Sequence, residues 1–250
     1  VAASAIGDIR LDPDKGVLRY REGGRTSVVR TLSLHGLLGN DWRDAPTPDE
    51  TSRVTVTVDG IESAAVTVDP TGRTALTSEG TLVDVSTGKH RKGVGGEDIL
   101  RDGAFSPDGS YLAVTDSQGR LTLWNARTWR RIAVLRAVGS TAQDTALAFS
   151  ADGSLLAGSA PDGFVEVWET ASPALPTATL PAGDGPVLEL GFTEDGGELR
   201  IATAHLAERV RPLAAGRAAE EVCARARRGL TEAEWRRHFP SAEYRGTCGR

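Results

Sequence analysis

Three copies of one phrase recur in the chain: Phe105-Ser106-Pro107-Asp108-Gly109, Phe149-Ser150-Ala151-Asp152-Gly153 and Phe192-Thr193-Glu194-Asp195-Gly196. The phenylalanines are 44 and then 43 residues apart, a period that marks a repeated supersecondary unit and not three separate motifs. In each copy an apolar run ends, a turn rich in Asp and Gly follows, and a second apolar run begins, which reads as strand, turn, strand.

The runs around Phe105 continue through Tyr111–Thr115, a polar break at Asp116-Ser117-Gln118-Gly119, Leu121–Trp124 and Ile132–Leu135. They have strand length and are separated by turn residues, so the unit is four-stranded. The copy at Phe149 repeats the order with Leu155–Gly158, the turn Pro161-Asp162-Gly163, Phe164–Trp168 and a fourth run near Ala178–Leu180. Trp124 and Trp168 each fall 19 residues after the phenylalanine of their unit, so two landmarks keep register. The same template picks up Val68-Asp69-Pro70-Thr71-Gly72 with Thr81–Asp84 as its third strand, Val83 standing in the tryptophan's place. Ile9–Gly16 opens a further unit, continued by Val17–Arg21 and Ser27–Leu34, and Val54–Val58 is expected as its fourth strand across a long loop. About five units result, at approximately 4–60, 61–96, 97–140, 141–184 and 185–213, with a separate tail at 214–250.

The phrase Phe-Ser-Pro-Asp-Gly followed by Leu121-Thr122-Leu123-Trp124-Asn125 or Val165-Glu166-Val167-Trp168-Glu169 resembles the repeats of WD-repeat β-propellers. The resemblance covers roughly residues 5 to 213 and implies an all-β propeller of four-stranded blades. It also implies that Phe105, Phe149, Phe192, Trp124 and Trp168 are structural repeat positions, and that Asp162 braces the turn between the second and third strands. Gln118 takes that place in the preceding copy. The family's Gly-His pair is missing from every copy, so blades here are expected to depend on apolar packing between sheets. Five units are fewer than the seven usual in that family, and the last supplies only three strands. A chain that opens at Val1 and contains no methionine is therefore expected to be part of a longer protein with an incomplete ring.

At 250 residues, 25% charged and 39% hydrophobic, the composition is that of an ordinary soluble domain. There is no run of 18 apolar residues, so no membrane partner is expected. A net charge of −5 argues against a general nucleic-acid binder. Two cysteines are too few for a disulfide-dense secreted domain, which makes a cytoplasmic setting the default.

After Leu213 the period stops. Residues 217–228 are rich in helix formers and reach Gly229, a candidate C-cap. Thr231 and Glu234 form a capping box for a short helix that places Trp235 and Phe239 on one face before Pro240. The stretch Arg211-Pro212-Leu213, Val222-Cys223, Gly229-Leu230-Thr231 and Tyr244 to Cys248 is similar to the closing tail of actinobacterial WD-repeat proteins. Such relatives carry an upstream signalling module: a STAND-class nucleotide switch, a helix-turn-helix domain, or a protease-like or kinase domain. No phosphate loop of the Gly-x-x-x-x-Gly-Lys-Ser/Thr type occurs between residues 1 and 250.

Candidate chemistry is sparse. Asp108, Asp152 and Asp195 each offer one carboxylate where calcium takes about 6 to 8 oxygens, so they read as turn formers. Asp12 and Asp14 share a turn but lack the rest of a calcium loop. His35, His90, His205 and His238 show no metal-ligand spacing, and no Gly-x-Ser-x-Gly elbow occurs. Cys223 and Cys248, with His238 between them, are free thiols, one local disulfide or a partial zinc set. The arginines of the tail read as a solvated face or a nucleic-acid patch. Trp42, in a long Pro-containing loop, is either a loop anchor or a partner contact. No catalytic, cofactor or metal residue is assigned.

The expected function is a non-catalytic scaffold or sensor for a protein partner or an upstream effector domain, with a small-molecule ligand as a further candidate. The alternative is a propeller enzyme of lactonase or peptidase-associated type, acting through inward-facing residues such as Asp102 and Glu189 in the central channel.

Overall fold

The computed structural model describes residues 5–12, 16–23, 26–34, 49–96, 98–136, 146–160, 163–205 and 208–248. The first sheet holds β1 (Ala5–Asp12), β2 (Val17–Gly23), β3 (Val28–Ser33) and β4 (Asp49–Thr55) in that spatial order. A small hairpin, β5 (Thr57–Val58) and β6 (Ile61–Glu62), leads to the second sheet of β7 (Ala65–Val68), β8 (Thr74–Thr77), β9 (Thr81–Asp84) and β10 (His90–Lys92). The third comprises β11 (Leu100–Phe105), β12 (Tyr111–Asp116), β13 (Leu121–Asn125) and β14 (Arg130–Arg136). The fourth comprises β15 (Leu147–Phe149), β16 (Leu155–Ser159), β17 (Phe164–Glu169) and β18 (Ala178–Pro181). The fifth has three strands, β19 (Val187–Phe192), β20 (Glu198–Thr203) and β21 (Arg209–Pro212). All neighbouring strands are antiparallel, and consecutive sheets meet through their first strands: β1 beside β7, β7 beside β11, β11 beside β15, β15 beside β19. This is the blade arrangement of a β-propeller.

Strand alternation explains why such blades stack. In β12, Leu112 and Val114 point toward the second blade, where they join Val66, Leu76 and Leu82, while Ala113 points toward the fourth. Leu121 and Leu123 also face the fourth blade and meet Leu156 and Trp168. On the far side of that blade Ala157, Val165 and Val167 pack on Leu190, Leu199 and Ile201 of the fifth. Val29 and Val56 join Ala65, Ala75 and Val83 between the first two. Each apolar cluster is thus an interface between consecutive sheets, and the core is a row of such interfaces.

The repeated phrase closes the first turn of three blades with one hydrogen-bond scheme. The Ser106, Ser150 and Thr193 hydroxyls each donate to the aspartate two residues on, at 2.6 Å in all three turns. The same hydroxyls accept from the backbone N–H of Tyr111, Leu155 and Glu198 at 2.9, 2.9 and 3.1 Å. Gly109, Gly153 and Gly196 lie at φ 70°, 72° and 67°, a region that favours glycine. The Ser106 hydroxyl and then the Ser110 hydroxyl hold Asp108 down at about 2, and the Ser150 hydroxyl lowers Asp152.

Two expectations are corrected. The fourth strand of the first blade is Asp49–Thr55, pairing Val54 with Val29, whereas Thr57–Val58 turns back on Ile61–Glu62 through Asp59-Gly60 at φ 51° and 80°. An Asp-Gly pair suits a two-residue hairpin turn, and this hairpin takes residues expected in the long strand. In the tail, helix α1 (Ala215–Ala226) ends at Arg227, not Gly229: Arg227 takes the left-handed conformation at φ 59° and its N–H closes on the Cys223 carbonyl at 2.9 Å. Gly229 serves close packing instead, since a Cβ there would lie 3.1 Å from the Thr247 hydroxyl and 3.2 Å from the Cys248 nitrogen.

Helix α2 (Glu232–His238) carries the capping box on Thr231 and Glu234, and Trp235 stacks on Phe239 at 4.7 Å. The Tyr244 hydroxyl donates to the Leu230 carbonyl at 3.0 Å. Cys223 and Cys248 are joined in a disulfide, one of the three states left open for them.

Candidate functional site

The repeat positions fall on matching places in successive blades. Phe105, Phe149 and Phe192 each end a first strand. Trp124 and Trp168 lie on third strands, and both face the preceding blade. Trp168 is 1% exposed, against Leu121, Leu123 and Leu156, with the Arg136 guanidinium 6.0 Å from its ring centre. Trp124 is half-buried, and its indole N–H donates to the Thr122 hydroxyl at 2.9 Å. Asp162 and Trp42 lie outside the described residues.

In the third blade the turn between second and third strands is braced from Asp116, two residues before Gln118. Its carboxylate accepts from the backbone N–H of Gln118 and Arg120, both at 3.0 Å, and from Arg120 Nε at 2.8 Å. Arg120 continues to Asp98 at 2.8 Å, tying this rim turn to the segment that enters β11. The Asp-x-x-x-Arg spacing in a turn is the signal that could have found it.

Three of the first strands carry acidic side chains, Asp8 on β1, Asp102 on β11 and Glu189 on β19. β11 and β19 each carry a bulge near their start, between Leu100 and Asp102 and between Val187 and Glu189. Asp102 and Glu189 therefore occupy the same place in two alternate blades, the first residue paired after the bulge. A register shift in β1 spans Asp8, at φ 53°. Asp8 accepts from Arg21 Nε and from the Thr67 hydroxyl, both at 2.7 Å, and Arg21 Nη2 reaches the Val66 carbonyl at 3.1 Å. This network joins the first blade to the second.

Burial pushes the Asp102 carboxyl up to about 7. The Gly103 N–H, donating to it at 2.8 Å, pulls the other way, the Asp8 charge raises it, Arg21 lowers it and Glu189 raises it further. Burial also raises Glu189. The structure thus brings both channel candidates, Asp102 and Glu189, into electrostatic reach of each other and adds Asp8 and Arg21, which sequence reasoning missed. No metal cage accompanies them: among the described residues, no three His, Cys, Asp or Glu side chains group closely enough to hold an ion. What the arrangement can do is hold a proton on Asp102 near neutral pH and present carboxyl groups to a cationic or hydrogen-bonding group.

Residues 139–169 match the family described as "WD domain, G-beta repeat", a segment that ends with the first strands of the fourth blade and Trp168. Blade arrangement and matched repeat agree. They support a WD-repeat propeller. The chain is also 30% identical over 162 residues to "Pre-mRNA-processing factor 19 homolog 2" of Arabidopsis thaliana, covering 62% of this chain and 30% of that protein. The chain therefore spans under a third of the length of that relative. Propellers with such repeats commonly bind other proteins, and a protein-interaction propeller is the function that fold and comparisons jointly support.

Proposed function

We propose that this propeller is the non-catalytic scaffold or sensor end of a bacterial signalling protein, binding a protein partner at its blade rims and passing the event to an upstream effector domain. The observation that carries this reading is the row of apolar interfaces between blades. It spends the strand faces on packing and leaves the connecting turns as the surface free to meet a partner. The tail's resemblance to closing segments of actinobacterial proteins supports the signalling context, and Trp42 is the candidate loop contact. No described helix is long and apolar enough to cross a membrane. The Cys223–Cys248 bond weighs for an oxidising setting over the cytoplasmic one suggested by cysteine scarcity, and a thiol count on the native protein decides between them.

The test is affinity capture from the source cell with the full protein, followed by replacement of rim residues Glu79, Gln118 and His205 by alanine. Loss of a specific partner with the rim variants is expected. Retention of every partner after rim replacement overturns the reading.

A second reading, a propeller enzyme, is favoured by the raised carboxyl of Asp102 beside Glu189. Turnover of a lactone or peptide library that disappears in Asp102→Asn would establish it.

A further inference from the structure

The outermost strand of a blade exposes unpaired backbone N–H and C=O groups, and natural sheets blunt such edges by shortness, proline or charge. Most outer strands here follow that rule. β10 has three residues, β18 has four and ends at Pro181, and β21 has four and ends at Pro212. β4 has seven, but it opens with Asp49 and Glu50, and Glu50 is engaged by Arg30.

β14 is blunted by charge at its two ends only, by Arg130, Arg131 and Arg136, and keeps an apolar run between them. It runs seven residues without proline, Arg130-Arg131-Ile132-Ala133-Val134-Leu135-Arg136. Its far end is pinned to the fourth blade: Arg136 Nε donates to Glu166 at 3.0 Å, Arg136 Nη1 to the Ser159 carbonyl at 3.0 Å, and Leu135 packs beside Leu121, Leu123 and Trp168. Among the described residues no strand other than β13 pairs with its near end. Ile132 falls at a register shift against β13 and is 43% exposed, and Val134 is 42% exposed.

The charges around it are mostly basic, the acidic neighbours being Asp84 on β9 and Asp59, which lies 3.4 Å from His90. Arg130 and Arg131 are exposed, and neither has an ion-pair or hydrogen-bond partner among the described residues. Next to them Trp129, held at φ 57°, packs edge-on against Phe105 at 6.4 Å and carries the Arg91 guanidinium 4.9 Å from its ring centre. Lys89 and Lys92 flank Arg91 on the exposed outer edge of the second blade. A basic strip therefore borders an apolar strand edge in a chain whose net charge is −5.

We propose that the open edge of β14 receives an extended segment of a partner protein by strand addition, with acidic residues meeting Arg130, Arg131 and Arg91 and apolar residues meeting Ile132 and Val134. Main-chain hydrogen bonds supply the affinity in this mode and alternate side chains supply the choice of partner. A second copy of this chain is a poor occupant, because antiparallel pairing of two β14 edges sets Arg130 and Arg131 against the arginine-flanked strand of the other copy. The inference rests on the interaction reading above and names the chemistry of one partner.

The test uses the whole 250-residue chain and a fluorescein-labelled, end-capped Glu-Val-Glu-Val-Asp-Val peptide, followed by fluorescence anisotropy. Saturable binding is expected. It should weaken at least about tenfold when alternate peptide nitrogens are methylated, and by a similar factor in the double variant Arg130→Glu, Arg131→Glu, whose fold is checked by circular dichroism. Raising the salt to about 0.5 M should weaken binding to the unaltered chain as well, a check independent of any variant. The proposal is overturned if the peptide does not bind. It is equally overturned by an N-methylated peptide that binds as well, by indifference to charge reversal, by self-association through β14, or by an oligonucleotide that binds the strip in preference to the peptide. Rim-dependent partner capture that persists while the peptide fails removes this inference and leaves the interaction reading standing; peptide binding without rim dependence does the reverse.

Discussion

Replacing Trp168 by alanine should cost the propeller far more than the register-equivalent change at Trp124. Trp168 is 1% exposed and fills the interface between the third and fourth blades, with Ala113, Leu121, Leu123 and Leu156 around it. Its ring lies 3.4 Å from the place a Cβ would occupy on Gly158, and Gly158 has no side chain to move into the space the ring vacates. Ala113 is equally small. The void should therefore stay open, which puts the loss at the upper end of the range for Trp→Ala, about 4–5 kcal/mol. Trp124 is half-buried and rests on one hydrogen bond to Thr122, so the same truncation should cost about 1–2 kcal/mol. Urea unfolding followed by far-ultraviolet circular dichroism reads both from the midpoint at constant slope. Equal losses, or a loss below about 1 kcal/mol at Trp168, would refute the packing argument.

Other outcomes follow from the turns, the channel and the tail. Ser150→Ala removes a hydroxyl that donates to Asp152 and accepts from Leu155; it should cost about 1–2 kcal/mol and let the Asp152 titration rise, both readable by carboxyl-carbon NMR and urea unfolding. Burial raises the Asp102 carboxyl from its ordinary 3.8 to about 7, so the folded state holds more protons between those limits. Stability should therefore fall as pH rises from about 4 to 7, and Asp102→Asn should flatten that slope; an unchanged slope in the variant would contradict the assignment. Breaking the 25-residue Cys223–Cys248 loop with Cys223→Ser should destabilise the tail by about 3 kcal/mol. Amide exchange should quicken in α1 and α2 while the blades stay protected, and equal quickening in both would show that the tail is part of the propeller core.

The middle of the fold was legible because its signals are local and redundant. Phe105 and Trp124, then Phe149 and Trp168, set two landmarks per unit, and the Asp-Gly turns between apolar runs allow only one strand order. The first blade was harder to read. Its fourth strand, Asp49–Thr55, is polar at its start and carries a single apolar residue, Val54. The alternation of Val54, Val56 and Val58 points to one continuous strand, whereas the Asp59-Gly60 pair turns the chain back at its end. In the tail, glycine's tolerance of positive φ points to a helix end at Gly229, yet Arg227 takes that conformation and Gly229 lies instead against Thr247 and Cys248.

The carboxyl groups of the first strands were half legible. Asp102 and Glu189 could be placed on or beside first strands, but which way each pointed depended on a bulge, and a one-residue bulge reverses the alternation that a sequence displays. Asp8 could not be found at all, since its partners Arg21 and Thr67 are brought to it only by the fold, Thr67 from the neighbouring blade.

The central claim is that the 43–44-residue period is one blade of a stacked sheet array, with buried middle strands and open outer ones. Residue-resolved amide exchange by NMR tests this most directly. Protection should peak at Leu112–Val114 and Leu121–Leu123, recur at Leu156–Gly158 and Val165–Val167, and recur again at Leu199–Ile201, falling between each pair of peaks on β14 and β18. Protection that runs without this repeat, or that is strongest on β14 and β18, would contradict the account.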